Sequence, residues 1–154
     1  PKALPGVDRR FFFQPHIVDN LNFADDMWLE KESSINPRER FWDSKKIGIA
    51  APPIKTDIGW LLLYHGVSSV DNQYRVGFMI LEEIEPRQVI HRSLFPILEP
   101  TDPWEIVGDF PNVVFPCGAV LVDGIVYVYY GGADKVICMA KISLDRLLRE
   151  AKNF

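Results

Sequence analysis

Cysteine is scarce in this sequence. Of 154 residues only 2 are cysteines, Cys117 and Cys138, with neither Cys-x-x-Cys nor Cys/His ligand spacing, so no metal site is expected. With no secretory signal beside them they read as buried thiols on strands and point to a reducing, cytoplasmic compartment. Long apolar runs are also lacking. The most apolar stretch, Val113 to Val122, contains Pro116 and Gly118 and ends at Asp123-Gly124. That is far short of the ~20 apolar residues of a membrane span, so no membrane partner is expected. The opening Pro1-Lys2-Ala3-Leu4-Pro5-Gly6 has no apolar core and no initiating Met; the expectation is a processed or cut end rather than a signal peptide. Positive charge is not in excess, with 17 Lys+Arg against 21 Asp+Glu and a formal charge of -4. A nucleic-acid partner is therefore not expected. Gly-x-Ser-x-Gly, phosphate-loop, dinucleotide and His-Glu-x-x-His motifs are all missing, which excludes the commonest hydrolase, kinase, dehydrogenase and zincin readings.

What is present is a packed domain's worth of apolar residues, 47% of the chain with 4 Trp, 5 Tyr and 10 Phe, too many for disorder. The length fits one domain, residues 1–154. The first forty-odd residues keep neither helical nor strand period and are expected to hold short strands and long loops. From there the pattern is β. Ile47-Gly48-Ile49-Ala50 leads to Pro52-Pro53, and Gly59 to His65 and Arg75 to Leu81 read as buried neighbouring strands joined by the polar connector Ser68 to Gln73. Ala119 to Val122 and Ile125 to Tyr130 flank Asp123-Gly124, whose residues accept the positive φ of a tight hairpin turn. Val136 to Ala140 adds a strand. Only the end is helical: Leu144, Leu147, Leu148 and Ala151 share a face, Ser143 can cap, and a terminal helix over 143–152 is expected. The fold class is all-β; pattern alone leaves sandwich, barrel and propeller open.

Several residues are placed where chemistry is possible, each with a plainer alternative. Lys55 follows Pro52-Pro53-Ile54 at a stiff junction where a cation can meet an anion, or is a solvated turn lysine. His65, before Gly66 at a strand end, faces a cleft or fills a structural place. Asp134, after Gly131-Gly132-Ala133, lies where a ligand can approach the backbone, or bonds its own turn. Asn112 and Phe115 pair an amide with an aromatic face, a combination suited to a sugar's hydroxyls and its apolar face, or are a loop amide beside a core ring. The carboxylate runs Asp25-Asp26 and Glu82-Glu83-Glu85 read as solvated surface, because neighbours on a strand face opposite ways.

Three stretches together resemble glycoside hydrolase family 130, the five-bladed β-propeller family of β-mannoside phosphorylases and related hydrolases. They are Trp42-Asp43-Ser44-Lys45-Lys46-Ile47-Gly48 running on through Pro52-Pro53-Ile54-Lys55-Thr56 to Gly59-Trp60-Leu61-Leu62-Leu63-Tyr64-His65-Gly66-Val67, then Asn112-Val113-Val114-Phe115-Pro116-Cys117-Gly118, and Tyr129-Tyr130-Gly131-Gly132-Ala133-Asp134. The match is close from Trp42 to about Leu148 and looser before it, where Asp26-Met27-Trp28-Leu29 looks like a family strand. At roughly 60 residues per blade the chain corresponds to two to three blades, the C-terminal half of a propeller. The resemblance implies reversible phosphorolysis of β-mannosides to mannose 1-phosphate, with inorganic phosphate as co-substrate and no cofactor or metal. Lys55 and His65 match phosphate-site positions, and Asn112, Phe115 and Asp134 match positions lining the sugar subsites. Tyr74 and Arg75 are weaker candidates, and Arg9 or Arg10 corresponds loosely to a phosphate arginine. The family's general acid comes from the early blades, so no residue here is expected to fill that role. Two other functions are weighed: a β-mannoside hydrolase, which Lys55 counts against, and a non-catalytic carbohydrate-binding or assembly module. A purely structural β-domain is a fourth reading. A half-propeller leaves apolar faces open, so a homo-oligomer or association with the complementary half is expected.

Overall fold

The computed structural model describes residues 18–22, 27–30 and 35–152, with side chains from Ile35 onward. Among the described residues every ladder is antiparallel, and the strands fall into three sheets. Strands β1 (Val18–Asn22) and β2 (Met27–Glu30) pair with each other. The largest sheet is built on β5 (Gly59–Val67) and β6 (Tyr74–Leu81), with β7 (Val89–Arg92) beyond β6. On the other side of β5 lie two short strands end to end, β3 (Lys46–Ile49) against its last residues and β4 (Ile54–Thr56) against its first. The third sheet is the meander β8 (Val114–Val122), β9 (Ile125–Gly132), β10 (Val136–Ser143). Helix α1 (Pro103–Ile106) precedes β8, and α2 (Leu144–Lys152) follows β10. The all-β expectation is met, with two short helices, and no sheet among the described residues closes on itself.

Alternation along β5 builds the core. Leu61 and Leu63, with Phe78 and Ile80 opposite, pack on Val126 and Val128 of the third sheet and on Leu147 of α2. The even positions Leu62 and Tyr64 point the other way, onto Ile35, Ile47 and Trp42. Two glycines admit Trp42: a Cβ on Gly66 or Gly77 would lie 2.6 Å from its ring. The loop before β3 is further tied down by Asp43, which is fully buried. It accepts hydrogen bonds from Tyr64 Oη (2.8 Å) and Arg92 (2.6 Å) and pairs with Arg38 at 3.0 Å. Burial pushes the Tyr64 hydroxyl up to about 12 despite Arg92 beside it.

The Asp123-Gly124 turn is as expected, with φ of 49° and 76°. The 68–73 connector is held by Ser68 Oγ, which accepts the Val70 N–H at 3.0 Å, and by Asn72 at φ 59°. Two expectations are corrected. Ser143 is the last residue of β10, paired with Ile125, so the helix starts one residue later, at Leu144, whose N–H is donated to Gly124 O (2.9 Å). The cysteines are free and neither is buried: Cys117 is exposed and Cys138 half-buried. The ladder shifts register between Pro116 and Gly118, so Cys117 is an unpaired bulge residue turned outward.

Candidate functional site

The register of the large sheet assembles the site. Lys46, Val67 and Tyr74 form one cross-strand row, and Gly48, His65 and Val76 the next. Directly opposed residues share a face and every second residue returns to it, so Lys46, His65 and Tyr74 stand together. Gly48 is needed here, since a Cβ would sit 2.4 Å from His65 Cε1. The imidazole stacks on Tyr74 with centroids 5.8 Å apart. Phe115 of β8 closes on it at 4.7 Å. The Lys46 ammonium lies 4.6 Å from the Tyr74 ring centroid, a cation–π contact.

His65 is neutral at pH 7. Burial, and after it the Lys46 charge, pushes its pKa down to about 4. Its Nδ1 is buried without a hydrogen-bond partner among the described residues. The positive charge at this cluster therefore belongs to Lys46, and His65 offers one N–H and one lone pair.

Asn112 and Asp134 enter through their backbones. Asn112 adopts φ 60°, which Asn tolerates, and its carbonyl accepts the Tyr74 N–H at 3.3 Å. A parallel bridge between Tyr74 and Val113 docks the start of β8 beside the histidine. Asp134 is exposed at the β9–β10 turn and lines a cleft of ≈ 340 Å³ together with Tyr74, Phe110, Val113 and Phe115. That volume falls in the range of small-ligand sites. The positive φ values of this turn belong to Ala133 (46°) and Asp134 (53°), not to the preceding glycines. Gly131 and Gly132 are strand residues, and Gly132 is small because a Cβ would lie 2.9 Å from Trp104 O.

Lys55 does not join this cluster. It pairs with Trp60, an odd number of residues from His65 along β5, so the two side chains take opposite faces. At ~3.3 Å per residue they are also about 16 Å apart along the strand. Lys55 Nζ is ion-paired with Glu83 and lies 5.3 Å from the Trp60 ring. Glu83 is exposed as expected, while Glu82 accepts the Ile84 and Glu85 N–H groups. Arg75 turns away from the cleft into bidentate contact with Asp71 (3.1 and 2.6 Å). Arg9, Arg10 and Asp25-Asp26 lie outside the described residues. Sequence reasoning missed Lys46, which only the register separates from Lys45, and missed Phe110. Among the described residues no group of three or more His, Cys, Asp or Glu is placed to hold a metal ion. No described helix is long and apolar enough to cross a membrane.

An antiparallel β scaffold thus brings aromatic rings and the Asp134 carboxylate to one cleft, with the Lys46 ammonium against the Tyr74 ring that helps to line it. The family described as β-1,4-mannooligosaccharide phosphorylase matches residues 12–153. The chain belongs to this family, glycoside hydrolase family 130. It is 52% identical over 113 residues to the β-1,2-mannobiose phosphorylase of Thermoanaerobacter sp., covering 73% of this chain and 37% of the relative. It is similar in structure to the β-1,2-mannobiose phosphorylase of Listeria innocua solved with β-1,2-mannobiose, with a TM-score of 0.77, 33% identity, and coverage of 82% of this chain and 36% of that one. A structure reported for glycoside hydrolases of the family that target β-1,2 mannosidic linkages in Candida mannan matches with a TM-score of 0.69 and 28% identity over 77% of this chain and 37% of that one. The chain thus spans less than half the length of the relatives it matches.

Proposed function

We propose that this chain supplies part of the sugar and phosphate site of a β-mannoside phosphorylase, within a five-bladed propeller of which its sheets are two to three blades. The observation that carries the reading is the grouping of Lys46, His65, Tyr74 and Phe115 beside the cleft lined by Asp134. In this reading Lys46 and the His65 N–H hold inorganic phosphate, while Phe115 and Asp134, with Asn112 at the base of β8, receive the mannosyl residue. A phosphate oxygen attacks the anomeric carbon, the glycosidic C–O bond breaks, and mannose 1-phosphate forms as a general acid protonates the leaving oxygen. The reading assigns that acid to a part of the propeller outside this stretch. No cofactor is needed, because the phosphate dianion is itself the nucleophile.

Both phosphorylases and hydrolases occur among the similar proteins, and the ammonium at the cluster favours the former, since water needs no cation to hold it. The test is calorimetric titration with phosphate and β-1,2-mannobiose, joined to a mannose 1-phosphate assay. Lys46→Ala is expected to weaken phosphate binding about tenfold or more, a loss of ~1.4 kcal/mol or more. Lys55→Ala is expected to change it less than about twofold. The reverse ranking would return the anion site to Lys55. Mannobiose binding that persists without any phosphate binding would favour the non-catalytic module.

A further inference from the structure

Asp134 reaches the cleft on a strained turn, and the restraint on that turn originates at a carboxylate the site does not use. Ala133 at φ 46° and Asp134 at φ 53° occupy the two central positions of a turn closed by Lys135 N–H to Gly132 O at 3.0 Å. This is the type I′ geometry, in which side chains with a Cβ are disfavoured. Such a conformation persists only where the surroundings over-determine it. Here the surroundings are the segment between α1 and β8. Ala133 N–H donates to Val113 O (3.0 Å), and Ala133 O accepts the Phe110 N–H (3.0 Å). Gly108 lies so close beneath that a Cβ on it would come within 2.4 Å of Ala133 O.

That segment hangs from Glu105. The Glu105 carbonyl accepts the Val113 N–H at 3.0 Å. Its side chain, 1% exposed, accepts the Tyr130 hydroxyl at 2.6 Å and the N–H groups of Thr101 (2.8 Å) and Asp102 (3.0 Å). Burial alone would raise the carboxyl, but the Tyr130 hydroxyl and the two N–H groups outweigh it and hold the group below its usual value. Tyr130 belongs to β9, the strand that runs directly into the strained turn. One carboxylate therefore ties α1 to β9, and the ring continues through Val113 to Ala133 and back through Phe110.

We infer that Glu105, through Tyr130, is a positioning residue that fixes Asp134 at the sugar cleft. The inference rests on the reading of Asp134 as a sugar ligand. It assigns to Glu105 no contact with substrate.

The test uses the whole chain with Asp134→Asn, Tyr130→Phe, Glu105→Gln and Glu105→Ala variants. It reads β-1,2-mannobiose affinity, phosphate affinity and amide exchange at Ala133. Tyr130→Phe is expected to weaken mannobiose binding about tenfold and to speed Ala133 exchange by a similar factor, with phosphate affinity and exchange in β5 and β6 unchanged. Glu105→Ala is expected to act in the same direction more strongly, and Glu105→Gln, whose amide oxygen still accepts the two N–H groups, to restore most of the loss. A purely structural role would lower sugar and phosphate affinity together. If Glu105→Ala fails to fold, Tyr130→Phe decides alone. Mannobiose affinity and Ala133 exchange both unchanged in Tyr130→Phe would overturn the inference. Mannobiose affinity unchanged in Asp134→Asn would instead overturn the reading of the sugar site on which it stands.

Discussion

Gly48 and His65 set the terms of the site at the scale of single residues. The imidazole is accepted onto the sheet because the position across the strand has no Cβ. In Gly48→Ala the ring must move or the strand must part, and a cost of about 1–3 kcal/mol is expected, measurable by urea denaturation. Phosphate affinity should fall in the same variant. His65 also makes stability depend on pH. Its folded pKa of about 4 lies below the ordinary value of 6.5, so the unfolded chain takes up a proton more readily. The stabilisation is complete above about pH 6.5 and is lost as pH falls towards the folded pKa. Thermal unfolding between pH 7 and 4 is expected to show a steeper decline for the native chain than for His65→Gln. Equal slopes would refute a buried neutral histidine. The same residues mark the limit of what the sequence reveals. His65, Phe115 and Asp134 could be named as candidates in advance, but separating Lys55 from His65 needed the register and a parity count along β5. Nothing in the sequence separates Lys46 from its neighbour Lys45; the register puts it over Tyr74.

At the scale of elements, the strands were legible because apolar runs such as Gly59–Val67 and Ile125–Gly132 are bounded by turn residues. The bulge at Cys117 was not, since an extra residue in a ladder leaves no mark on composition. Its exposure predicts that a thiol reagent labels Cys117 ahead of Cys138 in the native chain, and that Cys117→Ser removes the fast phase. Helix α2 packs Leu144, Leu147, Leu148 and Ala151 on the core, and Leu147 is the buried one among them. Leu147, 1% exposed among Leu61, Leu63 and Phe78, should cost about 2–5 kcal/mol when cut to alanine. Asp43 anchors the loop before β3. Its removal strands two guanidinium groups, and Asp43→Ala is expected to lose about 3–5 kcal/mol, read in the same denaturation series.

At the scale of the whole molecule, the described residues leave a sheet face open. On the side of β8, β9 and β10 away from the core, Val120, Val122, Tyr129, Ile137 and Met139 are exposed together. A contiguous apolar face of this kind favours association, and sedimentation is expected to show a concentration-dependent dimer or larger species. A monodisperse monomer would count against it. Pattern could not locate this surface, because an outward valine on a strand reads the same as an inward one until the partner sheet is known.

The interruption between β3 and β4 bears on how such an assembly can grow. Both strands lie on the same side of β5, and the edge they form is broken by a segment containing Pro52 and Pro53. Proline has no N–H to offer a docking strand, and two short pieces cannot template a long one. This margin of the large sheet is therefore blunted against the addition of a further strand, so any assembly should not grow by strand pairing at β3 and β4.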